Sequence, residues 1–300
     1  MKNEPLVSII MNCYNGEKYL RDAINSVINQ TYKNWEIIFW DNQSTDKSAE
    51  IFKSYKDNRL NYYCATTHAS ILYEARNCAL KKVNGDFIAF LDVDDWWSTD
   101  KLEKQIPLFK DSNVGLVYGN LWRFFEKKNK KKIYRKKILP TGMILNELMY
   151  DYVIGSPTYV IRKKSLESLE YCFNKNFHII GDFDLNIRLA ANWKVNCVQN
   201  PIATARIHGR NESLLHKNKE IEELKIWCDE MKIDPFFSSK SGLNEILLKI
   251  SYLEIIEAIS VDRFKKNFFK IMKYPFCLNK IKLIIALFLP KFIIKKIKDY

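Results

Sequence analysis

Over the first 120 residues, short apolar runs alternate with stretches of helical periodicity. Leu6–Met11 is an apolar run closed by the turn signal Asn12-Cys13-Tyr14-Asn15-Gly16, after which Tyr19, Ala23, Ile24, Val27 and Ile28 recur at helical spacing. Trp35–Trp40 predicts a second strand, followed by the polar Asp41-Asn42-Gln43-Ser44-Thr45-Asp46. Ser44 or Thr45 is placed to N-cap a helix running through Ile51 and Phe52. Leu60–Cys64 predicts a third strand and Ala75–Val83 a third helix; Phe87–Leu91 is a fully apolar fourth strand that breaks into Asp92-Val93-Asp94-Asp95. Apolar strands alternating with helices predict an α/β fold, its mostly parallel central sheet covered by helices on both faces. Ligands of such sheets bind beyond the carboxyl ends of the strands, where Asn12–Asn15, Asp41–Asn42 and Asp92–Asp95 all fall.

Farther along, Val114–Asn120 predicts another strand, a clear helix covers Asp182–Ala191, and the strand-like Ala203–Ile207 leads into His208-Gly209-Arg210-Asn211. From about Lys217 the pattern is helical without strand alternation, which predicts a C-terminal helical appendage. Ile281–Ile297 is apolar but interrupted by Lys282, Pro290 and Lys291, so it is too short to span a bilayer.

Composition then narrows the class. With 47% hydrophobic and 28% charged residues among 300, the chain is neither disordered nor a coiled coil nor a small disulfide scaffold. The net charge of +13 alone suggests nucleic acid or an anionic membrane. Its placement argues otherwise: Lys127–Lys137 carries +8 and Arg263–Tyr300 a net +10, leaving −5 for the rest. A nucleic-acid enzyme lines its cleft with positive charge, so no nucleic-acid partner is expected. The Lys127–Lys137 stretch, flanked by Trp122, Phe124 and Phe125, reads as a hairpin or mobile loop: an acceptor or membrane contact, or simply solvated. The seven cysteines have no C-x-x-C spacing, and no signal-peptide pattern precedes the first strand, so free thiols in a reducing cytoplasm are expected.

Asp92, Asp94 and Asp95 place three carboxylates within four residues at the end of a buried strand. Carboxylates so close repel unless a cation or protons neutralise them, and hard oxygen ligands suit Mg²⁺ or Mn²⁺. The alternative is a turn in which Asp95 caps the next helix. Taken in order, Pro5–Ile10 with Tyr14-Asn15, Asp41–Asp46, Ala75-Arg76-Asn77, Leu91–Asp95, Gly181–Arg188 and Arg206-Ile207-His208 resemble the family 2 glycosyltransferases of GT-A fold. The resemblance covers residues 4–213. It implies a GT-A catalytic domain over 1–213 with a basic helical region, 214–300, outside it.

The resemblance also implies roles, each with a competing structural reading. Tyr14 would stack on uracil with Asn12 and Asn15 beside it; Asp41 or Asn42, where the family usually has two Asp, would accept the imide proton. Arg76 would lie near the nucleotide, or else form a surface salt bridge. Asp94 would bind the metal with Asp92, which also lies near the ribose, and His208 would complete the metal shell or touch the diphosphate. Asp182 would be the catalytic base, or a helix N-cap; Gly181 stands where the family commonly has Glu, and Asp184 reads as structural. Ala69-Ser70-Ile71-Leu72 lacks the family's usual glycine. The implied activity is metal-dependent, inverting transfer of a sugar from a nucleotide donor, UDP-linked, to a glycan hydroxyl in cell-surface polysaccharide, lipooligosaccharide or lipid-linked oligosaccharide synthesis. A sugar-phosphate nucleotidyltransferase is disfavoured because Asn12–Gly16 has one Gly and no basic residue before Lys18; a non-catalytic scaffold on the membrane is the other rival. In the tail, Phe264, Phe268, Phe269, Met272, Leu283, Ile284, Leu287 and Phe288 interleave with lysines, as in helices lying peripherally on an anionic inner-membrane surface; the alternative is a helical subdomain packed on the catalytic core with its lysines solvated.

Overall fold

The computed structural model describes residues 4–261 and 265–289. Phe264, Pro290 and Lys291 lie outside the described residues. The chain divides into two compact units, Met1–Asn211 and Glu212–Tyr300.

In the first unit the order is β1 (Val7–Cys13), α1 (Leu20–Ile28), β2 (Trp35–Asp41), α2 (Ser48–Lys53), β3 (Leu60–Cys64), α3 (Leu72–Leu80) and β4 (Phe87–Phe90). Then follow β5 (Trp96–Trp97), α4 (Lys101–Gln105), β6 (Val114–Phe125), β7 (Lys130–Ile133), α5 (Leu145–Tyr150), β8 (Val160–Arg162), α6 (Lys163–Glu167), α7 (Gly181–Asn192) and β9 (Lys194–Ile207). Among the described residues one sheet runs β3-β2-β1-β4-β8-β6-β9-β5, with β7 hydrogen-bonded to β6. The strands of the alternating N-terminal half are parallel, β1 pairing with β2 and β4, and β2 with β3. Beyond β4 the sheet becomes mixed: β8 runs antiparallel to β4 and β6, while β6 and β9 are parallel. All seven residues of β1 are buried, as expected of a strand covered on both faces. Each large apolar side chain so buried contributes about 1.5–3 kcal/mol. Val7, Ile9, Met11, Ile37, Phe39 and Ala89 of the strands meet Leu20, Ala23, Ile24 and Val27 of α1 in one core.

Two local expectations are corrected. Neither Ser44 nor Thr45 caps α2, which begins at Ser48; the Ser44 and Thr45 amides instead donate to Asp41 Oδ1 and Asn15 Oδ1, both at 2.8 Å. Asp95 caps no helix. It leads into β5 and accepts the Arg206 N–H at 2.8 Å. The Lys-rich stretch is a hairpin, β7 pairing antiparallel with the last residues of β6 around Asn129 in left-handed conformation.

The second unit is helical: α8 (Glu212–Leu215), α9 (Lys217–Ile233), α10 (Pro235–Ser238), α11 (Ser241–Val261), α12 (Lys265–Lys273) and α13 (Leu278–Phe288). Ile255, Ile256 and Ile259 of α11 bury against Ile271, Tyr274, Leu283 and Leu287. Leu283 and Leu287 therefore belong to this core, whereas Phe268, Phe269, Met272, Ile284 and Phe288 are exposed. No helix among the described residues is long and apolar enough to cross a membrane.

Candidate active site

The ends of β1, β2 and β4, the start of α7 and the end of β9 converge. Asn15, with φ of 54°, crosses from β1 to the β2 loop: its N–H donates to Ser44 Oγ at 3.0 Å and its amide oxygen accepts from Thr45. That oxygen is engaged within the protein. Tyr14 beside it is 54% exposed, its ring edge-on to His68 at 4.6 Å, so one face of the phenol is open to a planar ligand.

Asn42 and Asp41 separate clearly. Both amide atoms of Asn42 pair with the Ala69 backbone, at 2.8 and 2.9 Å, and so fasten the loop after β3. Asp41 accepts from Ser44 N and from the Tyr62 hydroxyl at 2.6 Å, leaving one lone pair on each oxygen. Asn12 is buried, and neither atom of its amide has a partner. A buried amide left so costs about 1–3 kcal/mol, and a ligand edge offering a donor and an acceptor would satisfy it.

Arg76 is buried, so its ion pairs are not those of a surface residue. It is 1% exposed, and its two terminal nitrogens donate to Asp182 Oδ1 at 2.6 Å and Asp92 Oδ1 at 2.7 Å. Burial works against its charge, but the Asp182 and Asp92 carboxylates more than offset that and hold it firmly protonated. Burial, joined by Asp94 and Asp182, raises Asp92 above the usual carboxylate value, although Arg76 pulls the other way.

Asp182 stands in the first turn of α7, where the helix dipole favours a carboxylate. It is not the N-cap, a position held by Ile180. Its Oδ1 also accepts from Tyr159, while Oδ2 has only a 3.4 Å contact from the Tyr73 hydroxyl. Tyr152 donates to the Asp182 carbonyl. Burial first, and Asp182 second, push the Tyr73, Tyr152 and Tyr159 hydroxyls well above their ordinary values, so all three stay protonated donors. Gly181 has a steric reason: a Cβ there would lie 2.5 Å from the Tyr73 ring, so the acid common at this place in the family has no room. Asp184 is buried and paired with Arg188 at 2.7 Å, which is the structural role expected of it.

The acidic loop is organised from β9. Arg206 donates to the Asp94 carbonyl at 3.0 Å and to Asp22 at 2.7 Å, and its backbone N–H goes to Asp95. Burial, with Asp94 and Asp92 adding, pushes Asp95 well above the usual carboxylate range. Asp94 Oδ2 meets His208 Nε2 at 2.9 Å, and Asn211 reaches the same oxygen at 3.4 Å. The Arg210 N–H lies 3.2 Å from His208 Nδ1. Gly209, with φ of 83°, makes the turn that follows. Two ligands at right angles on a cation at about 2.1 Å lie about 3.0 Å apart, so the Asp94–His208 separation fits a shared divalent ion. A carboxylate and an imidazole suit Mn²⁺ or Mg²⁺, while the Asp92 oxygens do not gather with them into a three-ligand group.

Sequence reasoning missed Tyr73, Tyr152, Tyr159 and the organising role of Arg206. Of these, only Arg206 stood in a recognisable motif; the tyrosines lie in segments without local pattern.

A parallel nucleotide-binding half-sheet, acidic groups at its strand ends and a carboxylate at a helix start define a GT-A type of enzyme. Residues 8–169 match glycosyl transferase family 2, and the chain belongs to that family. It is 37% identical over 168 residues to the Escherichia coli UDP-Glc:alpha-D-GlcNAc-diphosphoundecaprenol beta-1,3-glucosyltransferase WfgD, covering 56% of this chain and 64% of that one. A second Escherichia coli protein of the same description, WfaP, is 41% identical over 121 residues, 39% of this chain and 46% of its own. The chain thus spans less than two thirds of either relative. Among solved structures, S. aureus TarS 1-349 in complex with UDP-GlcNAc superposes with a TM-score of 0.66 at 19% identity, covering 94% of this chain and 79% of that one. Mannosyltransferase PcManGT from Pyrobaculum calidifontis, in complex with GDP-Man and Mn2+, gives 0.61 at 14% identity, covering 95% and 86%. At these identities the likeness concerns the fold.

Proposed function

We propose that the chain is a metal-dependent, inverting glycosyltransferase that moves a sugar from a UDP-sugar to a hydroxyl of a lipid-linked or other cell-surface glycan. The observation that carries the reading is the Arg76 fork, which holds the Asp182 carboxylate and the Asp92 carboxylate on adjacent nitrogens. A proton acceptor is thereby fixed beside the acidic loop that bears Asp94, which meets His208 from the end of β9.

In this reading residues 1–213 are the catalytic domain. Tyr14 stacks on the uracil, the Asn12 amide and the remaining lone pairs of Asp41 face its edge, and Asp92 approaches the ribose. Asp94 and His208 hold Mn²⁺ or Mg²⁺, with Asp92 in the same acidic loop. Bound there, the ion supplies charge neutralisation for the departing diphosphate. Asp182 Oδ2, the oxygen with fewer donors, accepts the proton of the attacking hydroxyl. As the new bond forms at the anomeric carbon, the bond to the diphosphate breaks and UDP leaves with that electron pair. Attack opposite the leaving group inverts the centre.

The second unit supports a peripheral membrane contact through residues 214–300. Phe268, Phe269, Met272, Phe276, Leu278, Ile285 and Phe288 are exposed on α12, α13 and their connection, between Lys270, Lys273, Lys280 and Lys282. Lysines beside exposed apolar side chains match an anionic lipid interface. The UDP-sugar donor and the diphosphate-linked acceptor in the WfgD description set the first substrates to try.

The test is Asp182→Asn, which keeps an acceptor oxygen for Arg76. Transfer should fall by about 10²–10⁴ with UDP affinity near normal. Full activity of that variant, or turnover insensitive to EDTA, rejects the reading.

A further inference from the structure

From Arg123 to Lys137 the chain carries nine basic residues and one acid, Glu126. That acid does nothing for the neighbouring lysines. Both of its oxygens accept from the Tyr19 hydroxyl at 2.9 Å, and one also from Lys18 at 3.1 Å. Lys127, Lys130, Lys136 and Lys137 are all exposed and have no ion pair or hydrogen bond among the described residues. Lys131 lies over the Trp96 ring at 5.3 Å.

The hairpin is fixed at both ends to the candidate active site. At its turn, Phe125 pairs with Ile207, the residue before His208. Tyr19, which holds Glu126, stacks on the His208 ring at 5.2 Å, and Lys127 Nζ is 4.0 Å from where a Cβ on Gly209 would stand. At its exit, the Arg135 guanidinium donates to Asp151 and to the Tyr152 carbonyl at 2.9 Å; the Tyr152 hydroxyl in turn donates to Asp182. One rigid basic element therefore runs from the Asp94–His208 side of the cleft to the Asp182 side. The cleft beside it is acidic, so this positive charge serves something other than the protein's own carboxylates.

We propose that this hairpin docks the glycan acceptor, with Lys127 and Lys130 at its turn and Lys136 and Lys137 at its exit attracting a diphosphate that links the acceptor glycan to its lipid. The proposal rests on the diphosphate-linked acceptor of the function above and adds the surface that recognises it. A diphosphate is drawn by the summed field of several exposed ammonium groups, of which the turn pair and the exit pair stand at opposite ends of the β6–β7 register. The donor diphosphate already has Asp94, His208 and a cation, so the hairpin meets a second anion arriving with the nucleophile.

The probe is a GlcNAc diphosphate bearing a ten-carbon chain. Its binding to the full chain is measured by calorimetry with UDP and Mn²⁺ saturating. A phosphate-free decyl glycoside of the same sugar is the control. The variant combines Lys127→Gln, Lys130→Gln, Lys136→Gln and Lys137→Gln, all exposed positions outside the catalytic machinery. It should bind the diphosphate probe roughly tenfold or more weakly, lose most of the salt dependence of that binding, and leave the glycoside and UDP affinities unchanged. The corresponding Lys→Arg set should restore binding. Unchanged probe affinity overturns the proposal, as does failure of the native protein to bind the probe while UDP is bound. Weakened UDP binding would transfer the hairpin to the donor. Loss of sedimentation with phosphatidylglycerol vesicles at unchanged probe affinity would make it a membrane contact; either result refutes acceptor docking. Release of UDP from UDP-sugar without acceptor reports the donor reaction separately, so its failure is distinguishable from failure of the hairpin.

Discussion

Replacing Arg76 with Met removes one guanidinium and strands two carboxylates. The side chain is 1% exposed and is surrounded by the Tyr73, Phe90 and Phe173 rings at 5.2–5.7 Å. Methionine refills that apolar volume, so packing loss is small and the electrostatic effect dominates. Removing one partner of a fully buried ion pair costs about 3–5 kcal/mol. Here the Asp92 and Asp182 side chains retain 33% and 18% exposure, so water partly compensates both. The expected loss is thus at the low end, about 3 kcal/mol for the variant. That corresponds to a Tm lower by about 6–12 °C for a unit of this size. Freed of the fork, Asp182 keeps only its tyrosine donors and its carboxylate can rotate, and misplacing a base by about 1 Å costs on the order of 100-fold in kcat. Arg76→Lys keeps a charge but offers one nitrogen to two acceptors, so it should fall between the native protein and Arg76→Met in both readings. Scanning fluorimetry and steady-state UDP release check this. A Tm within 2 °C of native together with a kcat within about threefold for Arg76→Met would refute the argument that the fork orders the site.

Other consequences are as specific. Tyr14→Ala should weaken UDP binding by about 1–3 kcal/mol while Tyr14→Phe stays near native, because stacking needs the ring rather than the hydroxyl; fluorescence titration with UDP decides. Lys101 is fully buried over Trp97 at 4.0 Å with no partner for its amine, and burial lowers it well below the ordinary lysine value. A cation over an indole gains about 2 kcal/mol, less than the several kcal/mol lost on burying an ion, so the amine is neutral. The unfolded chain then binds a proton that the folded one does not, and this residue's share of stability rises with pH up to about 10.4. Lys101→Met should raise Tm at pH 7 and lose that advantage near pH 10, as melts at the two values would show. Among the thiols, burial pushes Cys197 up to about 11 and Cys228 up to about 12, whereas Cys64 and Cys277 are exposed. Iodoacetamide followed by peptide mass analysis should label the exposed pair first.

The N-terminal half of the sheet was legible because its signals are local. Apolar runs of five to seven residues, bounded by polar turns, place β1 to β4 to within a residue or two. The pairing of Asp94 with His208 was legible only as two motifs 114 positions apart, linked by resemblance to a family. What could not be read was direction. The same Arg76 in the middle of α3 could face solvent, nucleotide or core, and its pairing is set by Asp182, 106 residues away, and by the three rings around it. Asp95 read as a cap because Asp commonly caps helices; its carboxylate instead goes to the backbone of β9, a strand whose position depends on the whole sheet. The Asn42 amide suited a base edge as well as a loop, and the Ala69 backbone claims it.

Two buried arginines divide the acidic end of the sheet between them. Arg76 enters from α3 and neutralises Asp92 and Asp182. Arg206 enters from β9, lies over Tyr19 and Trp96, and secures the Asp94 carbonyl while its backbone holds Asp95. The carboxylate of Asp94 receives neither guanidinium; among the described residues it meets the His208 ring and the Asn211 amide. Carboxylates crowded into one loop need positive charge, and the arginines supply it everywhere except where an imidazole also stands ready as a ligand. Neutralising Asp94 without a cation should therefore relieve repulsion. Asp94→Asn is expected to keep or raise Tm in EDTA, yet to lose the Tm increase that Mn²⁺ gives the native protein, since a ligand bound only by the folded state stabilises it in proportion to its occupancy. An Asp94→Asn variant still stabilised by Mn²⁺ to the native extent would place the ion elsewhere.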